Sequence, residues 1–209
     1  MYKITDIGTS GSGERLLLKI STPEGESTSV AISSAAYRKL ELKKGEISEK
    51  TYEALISRAD YEEALIRGMR ILGYGANSPK QLEEKLCRAG VKRESAARVT
   101  RELIRRGYLN EVDDAWRIAE GLIEKRYGRR RIIASLRAKG YSEGALSQVD
   151  ERLSEVDFVE LCTEAARAKF KRLENDRTEV QKAIAKLMAL GYNVNEAKSA
   201  LTVILSERE

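Results

Sequence analysis

Two hydrophobic periods divide the chain near residue 34. Before that point apolar residues alternate with polar ones, at Ile4, Leu16, Leu18, Ile20, Val30 and Ile32. This is the period of a half-buried strand. Glycines at positions 8, 11 and 13 and the segment Pro23-Glu24-Gly25 interrupt the alternation. The pattern predicts a small antiparallel sheet of about three strands, with turns near Gly11 and Gly25, and so small a sheet needs another element to pack on.

The pattern changes to a helical period after this region. From Ser34 to Asp60 it predicts helix, with a break at Lys43-Lys44-Gly45 and Ser48 as the N-cap of the helix that follows. Beyond Tyr61 every segment has the spacing of an amphipathic helix. The chain is therefore predicted to be mainly α-helical after a strand-rich start.

The helical part repeats itself. Leu86-Cys87-Arg88-Ala89-Gly90 recurs as Leu136-Arg137-Ala138-Lys139-Gly140 and as Leu187-Met188-Ala189-Leu190-Gly191. Glycine suits the end of a helix because the residue there commonly takes a positive φ. The repeats predict a fold of tandem three-helix-bundle units at 61–110, 111–157 and 158–209, preceded by a small antiparallel sheet with a short helix at 1–60.

Composition agrees with a solvated helical protein. Charged residues make up 34% of the chain and aromatic residues 6%. The longest apolar runs, such as Leu16 to Leu18, are too short to cross a bilayer, and the first residues lack the apolar stretch of a secretory signal. We therefore expect a monomer in the cytoplasm without membrane contact. Cys87 and Cys162 are interpreted as reduced core or boundary residues.

The sequence disfavours an enzyme. It contains no histidine, which removes the usual general base and the commonest metal ligand, and no nucleotide-binding loop follows its early glycines. The acidic pairs Glu62-Glu63, Glu83-Glu84 and Asp113-Asp114 are each expected near the start of a helix, where peptide dipoles favour negative charge. No catalytic residue, metal site or cofactor is predicted.

Two groups of basic residues are candidates for binding a partner. The first, here called the arginine row, is Arg98, Arg101 and Arg105, which share one face of a predicted helix opposite Val99 and Leu103. The second, the basic segment, runs from Lys125 to Lys139 and contains no acidic residue; its other cations are Arg126, Arg129, Arg130, Arg131 and Arg137. Both groups could instead be ordinary solvated helix faces.

The chain resembles the RecX regulators of the bacterial recombinase RecA over nearly its whole length. The most specific part joins Gly107-Tyr108-Leu109 and Asp113-Asp114-Ala115-Trp116 to the series Gly128, Arg131-Ile132, Leu136 and Lys139-Gly140. The resemblance also includes the strand-rich opening, Leu42 to Ser48, Ala64 to Leu72, and Ser78 with Gln81-Leu82.

The resemblance implies a modular helical protein that lies in the groove of a RecA filament on DNA. There it would restrain strand exchange, ATP hydrolysis and the filament's coprotease role in the SOS response to DNA damage. The chain departs from the family pattern at Gly75 to Leu82, which lacks the arginines usual before the serine. We therefore expect Arg126, Arg129 to Arg131, Arg137 and Lys139 to contact the filament or its DNA, with the arginine row as secondary contacts.

Two alternatives stay open. Three short helices per unit also describe a helix-turn-helix protein that binds single- or double-stranded DNA without the recombinase. An enzyme of unknown type is the second alternative, which the missing histidine disfavours.

Overall fold

A strand-rich region opens the fold. The computed structural model describes residues 1–9, 14–171, 173 and 176–207, so the turn predicted near Gly11 lies outside them. The strands are β1 (Tyr2–Thr9), β2 (Arg15–Ser21), β3 (Ser27–Ser33) and β4 (Gly45–Ile47). They form one antiparallel sheet in the order β3-β2-β1-β4. The turn predicted at Gly25 is present, with a φ of 84°.

Helices and the turns that join them make up the remainder of the described chain. They are α1 (Ser34–Lys39), α2 (Glu49–Gly73), α3 (Pro79–Arg88), α4 (Arg93–Arg105), α5 (Glu111–Glu124), α6 (Arg129–Ala138), α7 (Glu143–Leu153), α8 (Phe158–Lys169), α9 (Arg177–Ala189) and α10 (Val194–Ser206). The predicted fold class is confirmed, because a small sheet with a short helix precedes three successive groups of three helices. These groups, here called trios, are α2–α4, α5–α7 and α8–α10. Ser48 caps α2 as predicted, accepting a hydrogen bond from Thr51 N at 3.1 Å.

Strand β4 was missed by the sequence analysis. The segment around Gly45 is predicted only as a break between helices, whereas Gly45–Ile47 pairs with the start of β1, Tyr2 lying opposite Ile47. A strand of three residues is too short to show an alternating period, so only its pairing partner reveals it.

The sheet packs on α1 and α2, which supply the layer that it was expected to need. Ile4, Leu18, Ile20 and Ile32 are fully buried beneath it. They share one core with Leu55 of α2 and with other apolar side chains of α1, α2 and their connection. Burial of these side chains is the main stabilisation of a sheet this small.

The acidic pair Glu62-Glu63 lies in the middle of α2 and not near a helix start as predicted, because α2 begins at Glu49. Glu62 is buried and accepts hydrogen bonds from Ser33 N and Ser33 Oγ at 2.6 and 2.7 Å. Its carboxylate therefore joins α2 to the end of β3. The first turn of α5 contains Asp113 and Asp114 as predicted.

The described chain divides into two compact units. Unit 1 contains Met1–Gly73 and Lys85–Arg105, and unit 2 contains Tyr74–Glu84 and Arg106–Glu209. The boundary between Glu84 and Lys85 lies inside α3. The repeat limits 1–60, 61–110, 111–157 and 158–209 concern internal similarity and stay a prediction.

The three repeated glycines end α3, α6 and α9 in the same way. Gly90, Gly140 and Gly191 have φ values of 86°, 80° and 101°. The amide after each glycine donates to the carbonyl five residues earlier, at 3.1 Å for Val91, 3.3 Å for Tyr141 and 3.4 Å for Tyr192. This bond and the positive φ define a Schellman helix end. The equivalence found in the sequence is therefore a structural equivalence.

Candidate partner-binding surfaces

The start of α6 contacts the end of α9 through the main chain. Gly128 N donates to Leu190 O at 2.9 Å, and Arg130 N donates to Gly191 O at 3.1 Å. A side chain on Gly128 would overlap the backbone of Gly191 and Tyr192. The free N–H groups at a helix start match the free carbonyls at a helix end, so this junction pairs backbone groups that both helices leave unsatisfied.

The start of α3 contacts the end of α6 in an equivalent place. Ser78 is fully buried, and its hydroxyl donates to Lys139 O at 2.7 Å while accepting from Gln81 N at 3.1 Å. The aliphatic chain of Lys80 lies over Gly140, so a Cβ built there would meet Lys80 Cδ at 2.8 Å. Within unit 2, each second helix of a trio therefore begins against the glycine end of the next one.

The two junctions fix both ends of α6, which carries most of the basic segment. The first turn of α6 is bound to α9, and its last turn is bound to the start of α3. One face of the helix is also buried through Ile132 and Leu136. The outward side chains of α6 are thus presented by a helix held at three places, which suits a binding surface.

Most arginines of the basic segment contact other parts of unit 2. Arg126 donates to Glu164 at 2.9 Å, and Arg129 donates to both the carboxylate and the backbone carbonyl of Asp150, at 2.7 and 2.8 Å. Arg137 forms a two-pronged pair with Glu143. These acids lie outside the interval 125–139, so the absence of local acids in the sequence did not mean absence of partners.

Hydrogen bonding shifts the pKa values of these pairs. The bond from Arg129 lowers the pKa of the Asp150 carboxyl, and the bond from Arg137 lowers that of the Glu143 carboxyl, each against a smaller opposing effect of burial. Since the four side chains are all more than a third exposed, solvent screening leaves these pairs little weight in stability. Their effect is to orient two of the arginines.

Arg131 packs flat on an aromatic ring. Its guanidinium carbon lies 4.2 Å from the centroid of Tyr127, and its Nη1 donates to Ala189 O at 3.3 Å. The arginine therefore covers one face of the Tyr127 ring. Trp116 is half-buried against the core of unit 2, and its Nε1 donates to Glu120 at 2.7 Å.

Arg130 and Lys139 are the two candidate residues on α6 and its C-cap that have exposed side chains and no side-chain partner among the described residues. Arg130 uses its backbone N–H in the junction with α9, and Lys139 uses its carbonyl in the junction with α3. Their backbones are fixed while their charged groups face solvent. They are therefore the positions of the basic segment best placed to contact a partner.

The arginine row lies on α4 in unit 1, where all three side chains are exposed. Arg105 forms a two-pronged pair with Glu102, which raises the pKa of Arg105. Arg98 lies over the ring of Tyr61, 4.4 Å from its centroid. Arg101 has no such partner in the part of the chain that the structure describes. The exposed face predicted for α4 is present, and Arg101 is its free member.

The described residues also bear on metal binding, membrane insertion and disulfide bonding. The described part of the chain contains no cluster of three or more acidic or cysteine side chains that could hold a metal ion. Among the described helices, none is both long enough and apolar enough to span a membrane. Cys87 is half-buried, Cys162 is buried, and both are free thiols.

The chain is similar in sequence to regulatory proteins of bacteria. No family model matches the chain. Over 145 residues it is 28% identical to the regulatory protein RecX of Pelodictyon phaeoclathratiforme, an alignment covering 68% of this chain and 89% of that protein. It is also 28% identical over 134 residues to the regulatory protein RecX of Vibrio cholerae, covering 64% and 88% of the two chains. In sequence, the chain is thus similar to RecX regulatory proteins over about two thirds of its length.

Solved structures show that the RecX fold extends over the chain. A crystal structure of regulatory protein RecX superposes with a TM-score of 0.78 at 19% identity, covering 95% of this chain and 98% of that one. RecX from Lactobacillus salivarius gives a TM-score of 0.62 at 16% identity, covering 68% of this chain and 95% of that one. The helical architecture is thus shared with RecX proteins whose sequences differ at most positions.

Proposed function

We propose that this protein is a RecX regulator that binds RecA filaments on DNA and modulates, mostly by inhibition, their recombinase, ATPase and coprotease activities in DNA repair and the SOS response. The proposal combines the similarity to RecX proteins in sequence and fold with the basic surface of α6. It assigns to this chain the regulation of another protein's activity.

The observation that carries the proposal is that the side chains of Arg130 and Lys139 are available to bind a partner. Both side chains are exposed and unpaired among the described residues, on a helix whose two ends are fixed by backbone hydrogen bonds. An arginine in this position can donate two parallel hydrogen bonds to a carboxylate or phosphate of a filament without first breaking an internal ion pair. The other candidates, Arg126, Arg129, Arg131, Arg137, Arg98, Arg101 and Arg105, are proposed as surrounding contacts.

Adding the purified protein to RecA assembled on single-stranded DNA tests the activity. We expect the rate of ATP hydrolysis to fall as the protein is titrated and to level off at saturation. A rate that does not change at saturating protein would contradict the proposal. Direct binding to the filament, measured in the same buffer, separates failure to bind from binding without effect.

Replacing Arg130 and Lys139 with alanine together tests the surface. We expect the protein concentration needed for half-maximal inhibition to rise by about tenfold, because two charge-assisted contacts are lost. The matched control is Lys182→Ala with Lys198→Ala, which removes the same charge from exposed positions on α9 and α10. Circular dichroism should show equal helicity in the two double variants. If the two double variants inhibit equally well, α6 is not part of the interface.

The alternative of a protein that binds DNA without the recombinase is supported by the seven basic and no acidic residues between Lys125 and Lys139. It predicts binding to naked DNA whose logarithmic affinity falls linearly with the logarithm of salt concentration. Under this alternative, the affinity for DNA alone would equal that for the RecA filament on the same DNA. A strong preference for the filament favours the main proposal.

A further inference from the structure

A cationic cavity lies between α1, α2 and α4 in unit 1, and it shares Arg98 with the arginine row. Its volume is about 280 Å³, and it is lined by Lys39 of α1, Ser57, Arg58 and Tyr61 of α2, and Arg98 of α4, together with apolar side chains. Three of its lining residues are cationic and none is acidic. A concave site with one sign of charge concentrates ligands of the opposite charge.

Tyr61 organises the two arginines of this cavity. The guanidinium carbon of Arg98 lies 4.4 Å from the centroid of the Tyr61 ring, and that of Arg58 lies 5.6 Å from it. The ring itself is only 9% exposed, so it is held in place by the surrounding helices. Stacking uses the face of a guanidinium group and leaves the N–H groups at its edge free to donate hydrogen bonds.

The carboxylate that binds Arg58 is already satisfied. Glu62 accepts from Ser33 N, from Ser33 Oγ and from Arg58 Nε, the last at 2.9 Å. That bond fixes Arg58 through Nε and does not use its two terminal nitrogens. The three cations and this carboxylate together keep excess positive charge, and the cations line the cavity from three different helices.

We propose that this cavity is a binding site for a phosphate group, held by Lys39, Arg58 and Arg98. Phosphate is the favoured anion because it can accept from several donors at once, and because planar guanidinium groups match its oxygens in pairs. The group could belong to a free nucleotide or to the backbone of a nucleic acid strand. The proposal does not depend on RecA binding, and its test contains no recombinase.

The amide resonances of the cavity provide the measurement. Uniformly ¹⁵N-labelled full-length protein is titrated at low salt with inorganic phosphate, with ATP and with a short oligothymidylate. We expect saturable chemical-shift changes at Ser57, Tyr61 and Arg98 with at least one probe. Tighter binding of the oligonucleotide than of ATP would assign the phosphate to a strand, and the reverse order would assign it to a free nucleotide. No saturable change at these amides with any probe would overturn the proposal.

Two variants with matched controls test the residues. Arg98→Gln is compared with Arg93→Gln, an exposed arginine at the first position of the same helix, and Lys39→Gln is compared with Lys19→Gln, an exposed lysine of β2. We expect each cavity variant to weaken the binding of the best probe by about tenfold, while each control changes it by less than about twofold. Because the Lys39 side chain is exposed, Lys39→Gln is expected to fold normally. It therefore still tests the proposal if Arg98→Gln unfolds unit 1 by removing the contact between Arg98 and the Tyr61 ring. Equal effects of the cavity and control variants would overturn the proposal.

Discussion

Single residues of the basic segment differ in ways that their sequence does not reveal. Arg129, Arg130 and Arg131 form one run, yet the first is bound to Asp150, the second has a free side chain among the described residues, and the third lies on Tyr127. The sequence could predict which of them lie on a helix surface, because that follows from a period of 3.6 residues. It could not predict their partners, since Asp150 is 21 residues away on another helix.

Tyr141 and Tyr192 offer a matched pair for a stability test. They follow equivalent glycines and are both buried, but Tyr192 donates to Arg126 O at 2.8 Å whereas the Tyr141 hydroxyl has no hydrogen-bond partner among the described residues. We expect Tyr192→Phe to lower the free energy of unfolding by about 1 kcal/mol, and Tyr141→Phe to leave it unchanged or raise it. Urea denaturation of the two variants measures the difference, and equal losses would contradict the assigned hydroxyl environments.

The same residues give a prediction for alkaline pH. Burial raises the pKa of Tyr141 and of Tyr192 above the ordinary value, so the unfolded chain ionises at lower pH than the folded chain. Their contribution to stability is complete below a pH of about 10 and is lost progressively as the pH rises above it. The unfolding free energy of Tyr141→Phe should therefore decline less steeply above that pH than that of the unsubstituted protein. Parallel declines would show that burial does not raise the pKa of Tyr141.

At the scale of elements, α6 shows what the glycine pattern could and could not predict. The sequence predicts that Gly140 and Gly191 end helices, which is confirmed by their φ values of 80° and 101°. The sequence does not indicate that Gly128 contacts Gly191, because that contact joins residues of two different sequence repeats. Comparing the sequence with itself identifies equivalent positions in the repeats, whereas the contacts between repeats depend on how the helices pack.

Gly128→Ala tests the junction between α6 and α9. Gly128 has a φ of −74°, which alanine adopts without strain, so the effect of the substitution comes from the overlap of its Cβ with Gly191 and Tyr192. We expect the free energy of unfolding to fall by about 3 kcal/mol. Gly121→Ala, in α5 and with open space around its Cβ, is the control and should raise stability by up to about 1 kcal/mol. Similar effects of both substitutions on thermal denaturation would refute a close junction.

At the scale of the whole molecule, the order of residues along the chain differs from their grouping in space. Tyr74–Glu84 belongs to unit 2, although residues on both sides of it in sequence belong to unit 1. The sequence analysis could place three helices in the first repeat, but it could not show that the start of α3 packs with later residues. The bond from Ser78 Oγ to Lys139 O, which spans 61 residues, is one cause of this arrangement.

Ser78→Ala tests this arrangement. The substitution removes both a helix cap and the donor to Lys139 O, so we expect amide hydrogen exchange in the last turn of α6 to be less protected by about 2 kcal/mol. Ser48→Ala removes a cap from α2 without an equivalent long-range bond, and it should leave exchange in α6 unchanged. Unaltered protection of α6 in Ser78→Ala would mean that the serine acts only on its own helix.

The junctions of α6 have a consequence for how such a chain can vary. The contact with α9 uses amide and carbonyl groups, which every residue type except proline supplies, and it requires only that the two facing positions carry no side chain. Exposed residues can therefore be exchanged freely while the alignment of successive helices is kept. A protein built in this way can acquire a different recognition surface by point substitution alone, without redesign of its scaffold.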